Sequence, residues 1–334
     1  MITGDAARSR WLTLGFGLIV SAISVWLVVR DVDLNHLRQA LSTADWRWVL
    51  AAVLLLVVTF FGRVQRWRVV LRPIEYRGPA IIAAQLIGQV LNFLLPLRVG
   101  DVARSMMLGS EPDSSFERVL GSVAIEKAWD WIALTVMLLL VVLTTPLPDW
   151  LIGPVQSAGV IAALILIGFG IIAFAPPRFA ARGAQLTDRT TRWLPQIWRS
   201  AVTMRLRRLF TSLEALRNRT AIGQAALWSL IIWTLGVVTN FAVMRAFGVE
   251  SWLGALLLMA MLMVGTALPP SIAAVGIFEG LTILALGTFD VPHETALAIG
   301  LTLHVLVFAP QTVVAAILVV LQPATTNALK RSRL

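Results

Sequence analysis

The chain has 334 residues, 58% of them hydrophobic and 14% charged, with a mean hydropathy of +0.81. That balance excludes a soluble globular core and describes a polytopic helical membrane protein. The net charge of +10 is carried almost wholly by arginine, since lysine occurs only at Lys127 and Lys330; in this class it reads as positive-inside loops facing anionic lipid, not as a nucleic-acid surface, and the lack of cysteine excludes disulfides, thiolate metal sites and thiol nucleophiles.

Apolar runs of about 20 residues predict six spanning helices, at about 11–29, 46–62, 119–143, 155–175, 221–244 and 295–321. Two shorter, interrupted stretches, about 80–109 and 252–288, each predict a broken, re-entrant helix pair. The first helix follows Arg8 and Arg10 and lacks a small-residue cleavage site, so it is expected to stay as an anchor. Arginines crowd 63–77 and 178–219, and the tail ends Lys330-Arg331-Ser332-Arg333, whereas the 144–150 connection carries no basic residue. The positive-inside rule then puts both termini and the central loop in the cytoplasm, in a bacterial inner membrane.

This orientation has a consequence for architecture. The first broken stretch is entered from the cytoplasm and the second from outside, which predicts an inverted-topology repeat within one membrane domain (1–334), with repeats at about 46–145 and 221–321. The 178–219 linker sets Trp193, Leu194, Ile197, Trp198, Val202, Leu206, Leu209 and Leu213 against an arginine-rich face, the pattern of an amphipathic helix lying on the inner leaflet.

The breaks carry the chemistry. Bilayer hydrocarbon cannot satisfy free backbone groups, so helices break at depth where the break is buried or lines a polar cavity. In the first, Pro96 removes a donor and Gly100 is expected to supply unusual torsions, with Asn92, Arg98, Asp101 and Arg104 around it. A helix restarting near Gly100 would add its N-terminal partial charge to Arg98 and Arg104, a combination suited to a phosphate or phosphodiester. The bland alternative is an Arg98–Asp101 pair closing the turn. In the next span, Glu126 and Asp130 share a face at i, i+4 and can bond the arginine cluster, while Lys127 is expected to point elsewhere. They also read as charges in the first turns of a span.

In the second break, around Pro269 and Pro270, Gly276 precedes Glu279, the only charged residue between Glu250 and Asp290. A carboxylate so isolated should be protonated or matched to a cation, with Arg98 or Arg104 as the expected partner. Helix capping is the alternative. His304 stands mid-helix without a second His or Cys nearby and reads as a packed or hydrogen-bonded histidine. Trp11, Trp46, Trp48, Trp150 and Trp252 flank spans as an aromatic belt. Met259, Met261 and Met263 read as packing residues, and no metal ligand set or cofactor motif is recognised.

The run Asn92 to Arg104, then Ile125-Glu126-Lys127-Ala128-Trp129-Asp130, then Leu268 to Glu279, resembles the signatures of the lysylphosphatidylglycerol synthase transmembrane-region family, also called flippase-like or UPF0104, over nearly the whole chain. The third signature departs from the pattern: Ile272-Ala273-Ala274 stands where the family usually shows Pro-Gly-Gly, which bears on how tightly that turn can close. The resemblance implies an integral membrane protein that moves or binds lipids. In the synthases such a region precedes an aminoacyl-transferase domain, and none follows the last span here, so synthase activity is not expected. Stand-alone relatives are associated with hopanoid, glycolipid or polyprenyl-linked pathways.

These readings predict a lipid translocase without an ATP loop, whose partners are membrane lipids of anionic or glycolipid type. The alternatives are a membrane transferase, using Asp101, Glu126 or Asp130 as base or metal ligand, and a non-enzymatic partner subunit of a lipid-biosynthetic enzyme.

Overall fold

The computed structural model describes residues 21–30, 32–95, 98–144, 149–174, 219–265 and 272–321. Pro96, Pro269, Pro270, the 178–219 linker before Arg219 and the basic tail lie outside the described residues. Every regular element among the described residues is helical: α1 (21–29), α2 (Leu34–Ser42), α3 (Trp46–Leu71), α4 (Gly78–Leu94), α5 (Val99–Gly109), α6 (Phe116–Thr144), α7 (Asp149–Phe174), α8 (Arg219–Ala246), α9 (Trp252–Gly265), a 3-10 turn (Ile272–Ala274), α10 (Ile277–Gly287) and α11 (His293–Leu321). Of these, α3, α6, α8 and α11 are long and apolar enough to cross a membrane by length and composition.

Local chemistry sets several boundaries. Asp33 caps α2 by accepting from the Asn35 and His36 amides, which hold its carboxylate below the usual range, and Asp45 caps α3 by accepting from the Arg47 amide. The expected end of α3 at residue 62 is corrected to Leu71. The arginines after Phe61 do not close the helix, because Arg66 lies on its buried face, fully enclosed and matched in charge, instead of in a cytoplasmic loop.

Each half repeats one pattern: a long helix, a broken pair, a long helix. The halves are α3, α4/α5, α6 and α8, α9/α10, α11. The leading helices of the two halves lie side by side and antiparallel. The Asp45 amide, at the start of α3, donates to the Ala246 carbonyl at the end of α8 (2.9 Å), and Arg72 beyond the end of α3 donates to Gln224 near the start of α8 (2.9 Å). Arg66 and Ser229 form an intermediate rung at 3.1 Å.

Two apolar cores support this frame. One joins α3, α4, α5 and α6 through Val64, Trp67, Ile81, Leu108 and Val119. The other joins the second half through Val243, Met244, Leu257, Leu258, Phe278, Leu286 and Ile299, with Ala52 and Val141 reaching in from α3 and α6. Outward-facing Leu50, Leu54, Val57, Val58 and Phe61 on α3 remain exposed, as expected for a helix that meets lipid.

Candidate functional site

The first break is held shut by backbone contact. A Cβ added to Gly100 would fall far inside van der Waals contact of the Gly88 carbonyl oxygen, and one added to Gly88 would meet Arg104 Cδ at 3.0 Å. Gly100 is therefore a close-approach glycine between α4 and α5; it is not among the residues of positive φ, which corrects the expectation that it supplies unusual torsions. The left-handed residue is Arg98, the N-cap of α5, at φ 52° and ψ 41°. Such a conformation costs a residue with a Cβ about 1–2 kcal/mol. Arg98 is exposed at the lip of the break.

Asn92, in the last turn of α4, staples the restart of the chain. Its Nδ2 donates to Asp101 Oδ1 (3.0 Å) and its Oδ1 accepts from the Asp101 amide (3.1 Å). Asp101 in turn pairs with Arg104 (2.9 Å). Arg104 also donates to Gln85 on α4 (2.8 Å) and to Glu126 on α6 (3.0 Å), and its guanidinium lies 4.8 Å from the Trp67 ring centroid.

From Glu126 the network continues to α3. Arg66 donates to Asp130 Oδ1 at 2.8 Å and to Ser229 Oγ, and its Nη2 stands 3.5 Å from Glu126 Oε1. Asp130 thus turns to Arg66, while Glu126 alone joins the Arg104 cluster. Lys127 does not point away: its Nζ lies 3.7 Å from Asp130 Oδ2. Among the ion-paired groups Arg66, Arg104 and Lys127 balance Asp101, Glu126 and Asp130, with the Arg63 guanidinium as a further cation within electrostatic reach. That pairing is what makes the cluster tolerable among apolar helices, because an uncompensated buried charge costs several kcal/mol. The bonding is nevertheless incomplete: Arg66 Nε and Nη2 and Arg104 Nε are buried without a protein hydrogen-bond acceptor.

The second break is built differently. Ala273 and Ala274 both take left-handed torsions, φ 58° and 55°, and Gly276 lies at φ 81°. Both alanines therefore adopt the left-handed backbone that favours glycine. A Cβ on Gly276 would strike Ser24 and Val25, so α1 lies directly over this turn. Glu279 Oε2 accepts from the Gly276 amide (2.8 Å), so the helix-capping alternative holds, and its Oε1 lies 2.6 Å from His304 Nδ1. The expected partnership of Glu279 with Arg98 or Arg104 is corrected: the chain supplies a nearer polar group from α11.

The two breaks meet at this histidine. Phe93, from the turn of α4 that leads into the first break, stacks on Phe308 of α11 with ring centroids 3.6 Å apart and sets its edge against His304 at 5.8 Å. Phe278 tilts against the same imidazole at 5.0 Å.

The sequence reading did not single out Arg66, Gln85 or Ser229. Gln85 had a signal, since Gln85, Gln89 and Asn92 recur at helical spacing on one face of an otherwise apolar helix. Arg66 was hidden among Arg63, Arg68 and Arg72, and Ser229 carries no signature of its own.

Fold and site together define a helical membrane protein with two interrupted helix pairs and a buried network of ion pairs beside the first interruption. The chain belongs to the family described as the lysylphosphatidylglycerol synthase TM region, which it matches over residues 14–315. It is 28% identical over 268 residues to glycosyltransferase AglD of Haloferax volcanii, covering 72% of this chain but 42% of AglD, so it spans about two fifths of that relative's length. It is also similar to a UPF0104 membrane protein of Methanothermobacter thermautotrophicus, at 22% identity over 253 residues, covering 70% of this chain and 72% of the relative.

Proposed function

We propose that this protein is a lipid translocase of the bacterial inner membrane that takes a phosphate-bearing head group, anionic or glycolipid-linked, at the first break and passes it between two inverted repeats. The observation that carries the reading is the buried network of Arg66, Arg104, Asp101, Glu126 and Asp130, with three guanidinium nitrogens lacking protein acceptors, set against a broken helix whose lip exposes Arg98. Buried ionisable groups are expensive in a bilayer and mark polar pathways. The antiparallel pairing of α3 with α8 supports inversion of the two halves, the arrangement that places a substrate site at the repeat interface.

In this reading Arg98 makes first contact with the head group. Arg104 and Arg66 then offer their unused donors while Asp101, Glu126 and Asp130 hold the guanidinium planes in place, and the acyl chains stay in lipid. The distribution of arginines supports cytoplasmic termini in this reading, with a lipid-biosynthetic enzyme as the proposed protein partner.

The test is transfer of a fluorescent phosphatidylglycerol in phosphatidylcholine vesicles, with a membrane-impermeant quencher reporting the leaflet. Wild-type vesicles should move the probe faster than protein-free vesicles, and Arg98→Ala should lose that gain. Wild-type transfer no faster than in empty vesicles would overturn the reading.

The similarity to a protein named a glycosyltransferase favours one other function, a membrane transferase acting on a lipid-linked sugar with Asp101, Glu126 or Asp130 as base. It predicts a covalently changed lipid, detectable by mass spectrometry after incubation with polyprenyl phosphate and a nucleotide sugar.

A further inference from the structure

We propose that Glu279 and His304 form a proton-binding site and that a proton bound there is the coupling ion for lipid passage; the second half of this inference rests on the translocase reading.

The geometry points to a proton and not to a metal. Glu279 spends one oxygen on the Gly276 amide and the other on His304 Nδ1, at 2.8 and 2.6 Å. Two ligand residues, one of them already capping a turn, fall short of the three or four that hold a transition metal. A histidine is the side chain that changes charge near neutral pH. With the imidazole protonated the pair is neutral, and with it neutral the pair carries one negative charge; the proton that leaves goes to water at whichever membrane face the site has reached.

That change happens in an apolar enclosure. His304 is ringed by Phe93, Phe278 and Phe308, with centroids at 5.8, 5.0 and 5.0 Å, and Glu279 is 5% exposed. Among the described residues the elements packed on the pair bring few other ionisable groups, with Arg30 directly after α1 and Arg98 after α4. α4, α9, the 3-10 turn and residues 21–29 of α1 contain no ionisable side chain, and α10 contains Glu279 alone. On α11 the other titratable groups are His293 and Glu294, about 16 Å away along the helix axis at 1.5 Å per residue. His293 Nε2 lies 3.3 Å from the Val28 carbonyl. α2, which also packs on α11, offers His36 and Arg38; Arg245, on α8, pairs with Glu250.

The pair also holds both breaks. Glu279 fixes the Gly276 amide at the end of the left-handed Ala273-Ala274 turn, and Phe93, at the entrance of the first break, contacts the His304 ring. Adding or removing one charge therefore acts on the two segments that must move if a head group is to pass.

Two measurements on the full chain decide the matter. In phosphatidylcholine nanodiscs, infrared difference spectra between pH 5 and pH 9 should show coupled imidazole and carboxylate bands in wild type that are absent in His304→Gln. In phosphatidylcholine vesicles with clamped membrane potential, a one-unit pH gradient should shift the leaflet ratio of a trace fluorescent phosphatidylglycerol about tenfold, the factor for one proton per lipid. Glu279→Gln and His304→Gln should each lose that gradient-driven shift. A wild type without the titrating bands overturns the site. A wild type that moves the probe but ignores the gradient overturns the coupling and leaves the translocase reading standing; one that never moves the probe overturns both. The wild-type arms decide even if a variant fails to fold.

Discussion

Replacing Arg66 with methionine tests whether the buried network is an energetic unit. Arg66 is fully enclosed and makes a 2.8 Å bond to Asp130, a 3.1 Å bond to Ser229 and a 3.5 Å ion pair with Glu126. Removing one partner of a buried pair strands the other charge, at a cost of about 3–5 kcal/mol. Here Asp130 keeps Lys127 at 3.7 Å and Glu126 keeps Arg104 at 3.0 Å, which moves the expectation to the lower end, about 3 kcal/mol. Arg66→Met combined with Asp130→Leu removes the stranded carboxylate as well. The double variant should therefore be more stable than Arg66→Met alone, with a coupling energy of at least about 1.5 kcal/mol. The assay is equilibrium unfolding from mild detergent into SDS, with exposed Arg47→Met as a control expected within about 0.5 kcal/mol of wild type. An Arg66→Met cost below about 1 kcal/mol, or additive single and double variants, would refute a coupled buried network.

Other outcomes follow from the same geometry. Gly100→Ala drives a methyl group into the Gly88 carbonyl, and because backbone cannot swing aside it should cost about 2–3 kcal/mol and lower the monodisperse fraction in size-exclusion chromatography. Ala273→Gly and Ala274→Gly each relieve about 1–2 kcal/mol of left-handed strain against about 0.5–1 kcal/mol of added chain entropy. Each should therefore raise stability by about 0.5–1 kcal/mol in the same unfolding assay. Arg98→Ala keeps a Cβ at the same torsion and should abolish head-group selectivity, read as loss of the gain in probe transfer over empty vesicles.

What the sequence discloses is what is local. Pro96, with Asn92, Arg98, Asp101 and Arg104 around it, interrupts an apolar run, and a break with charges is readable from that alone; Asn92–Asp101 and Asp101–Arg104 then follow within one or two helical turns. Partners distant in sequence leave no such trace. Asp130 is 64 residues from Arg66, and Arg66 looks like one more member of a cytoplasmic arginine cluster because the rule that orients membrane helices also predicts arginines at that place. Glu279 is legible as an isolated carboxylate in need of a partner, but the sequence points to Arg98 or Arg104 and reads His304 as a packed histidine; the packing of α10 on α11 decides for His304. The Ala273-Ala274 turn shows the opposite limit. Composition argues against left-handed torsions there, and tertiary contacts, including α1 seated on Gly276, impose them.

The most direct test of the central claim is native mass spectrometry of protein purified in mild detergent, with extraction of retained lipid from wild type and Arg98→Ala. The account predicts a defined phosphate-bearing lipid on wild type that is lost from the variant. Retention of the same lipid mixture by both proteins would contradict a head-group site at the first break and would leave the buried charges with a structural role alone.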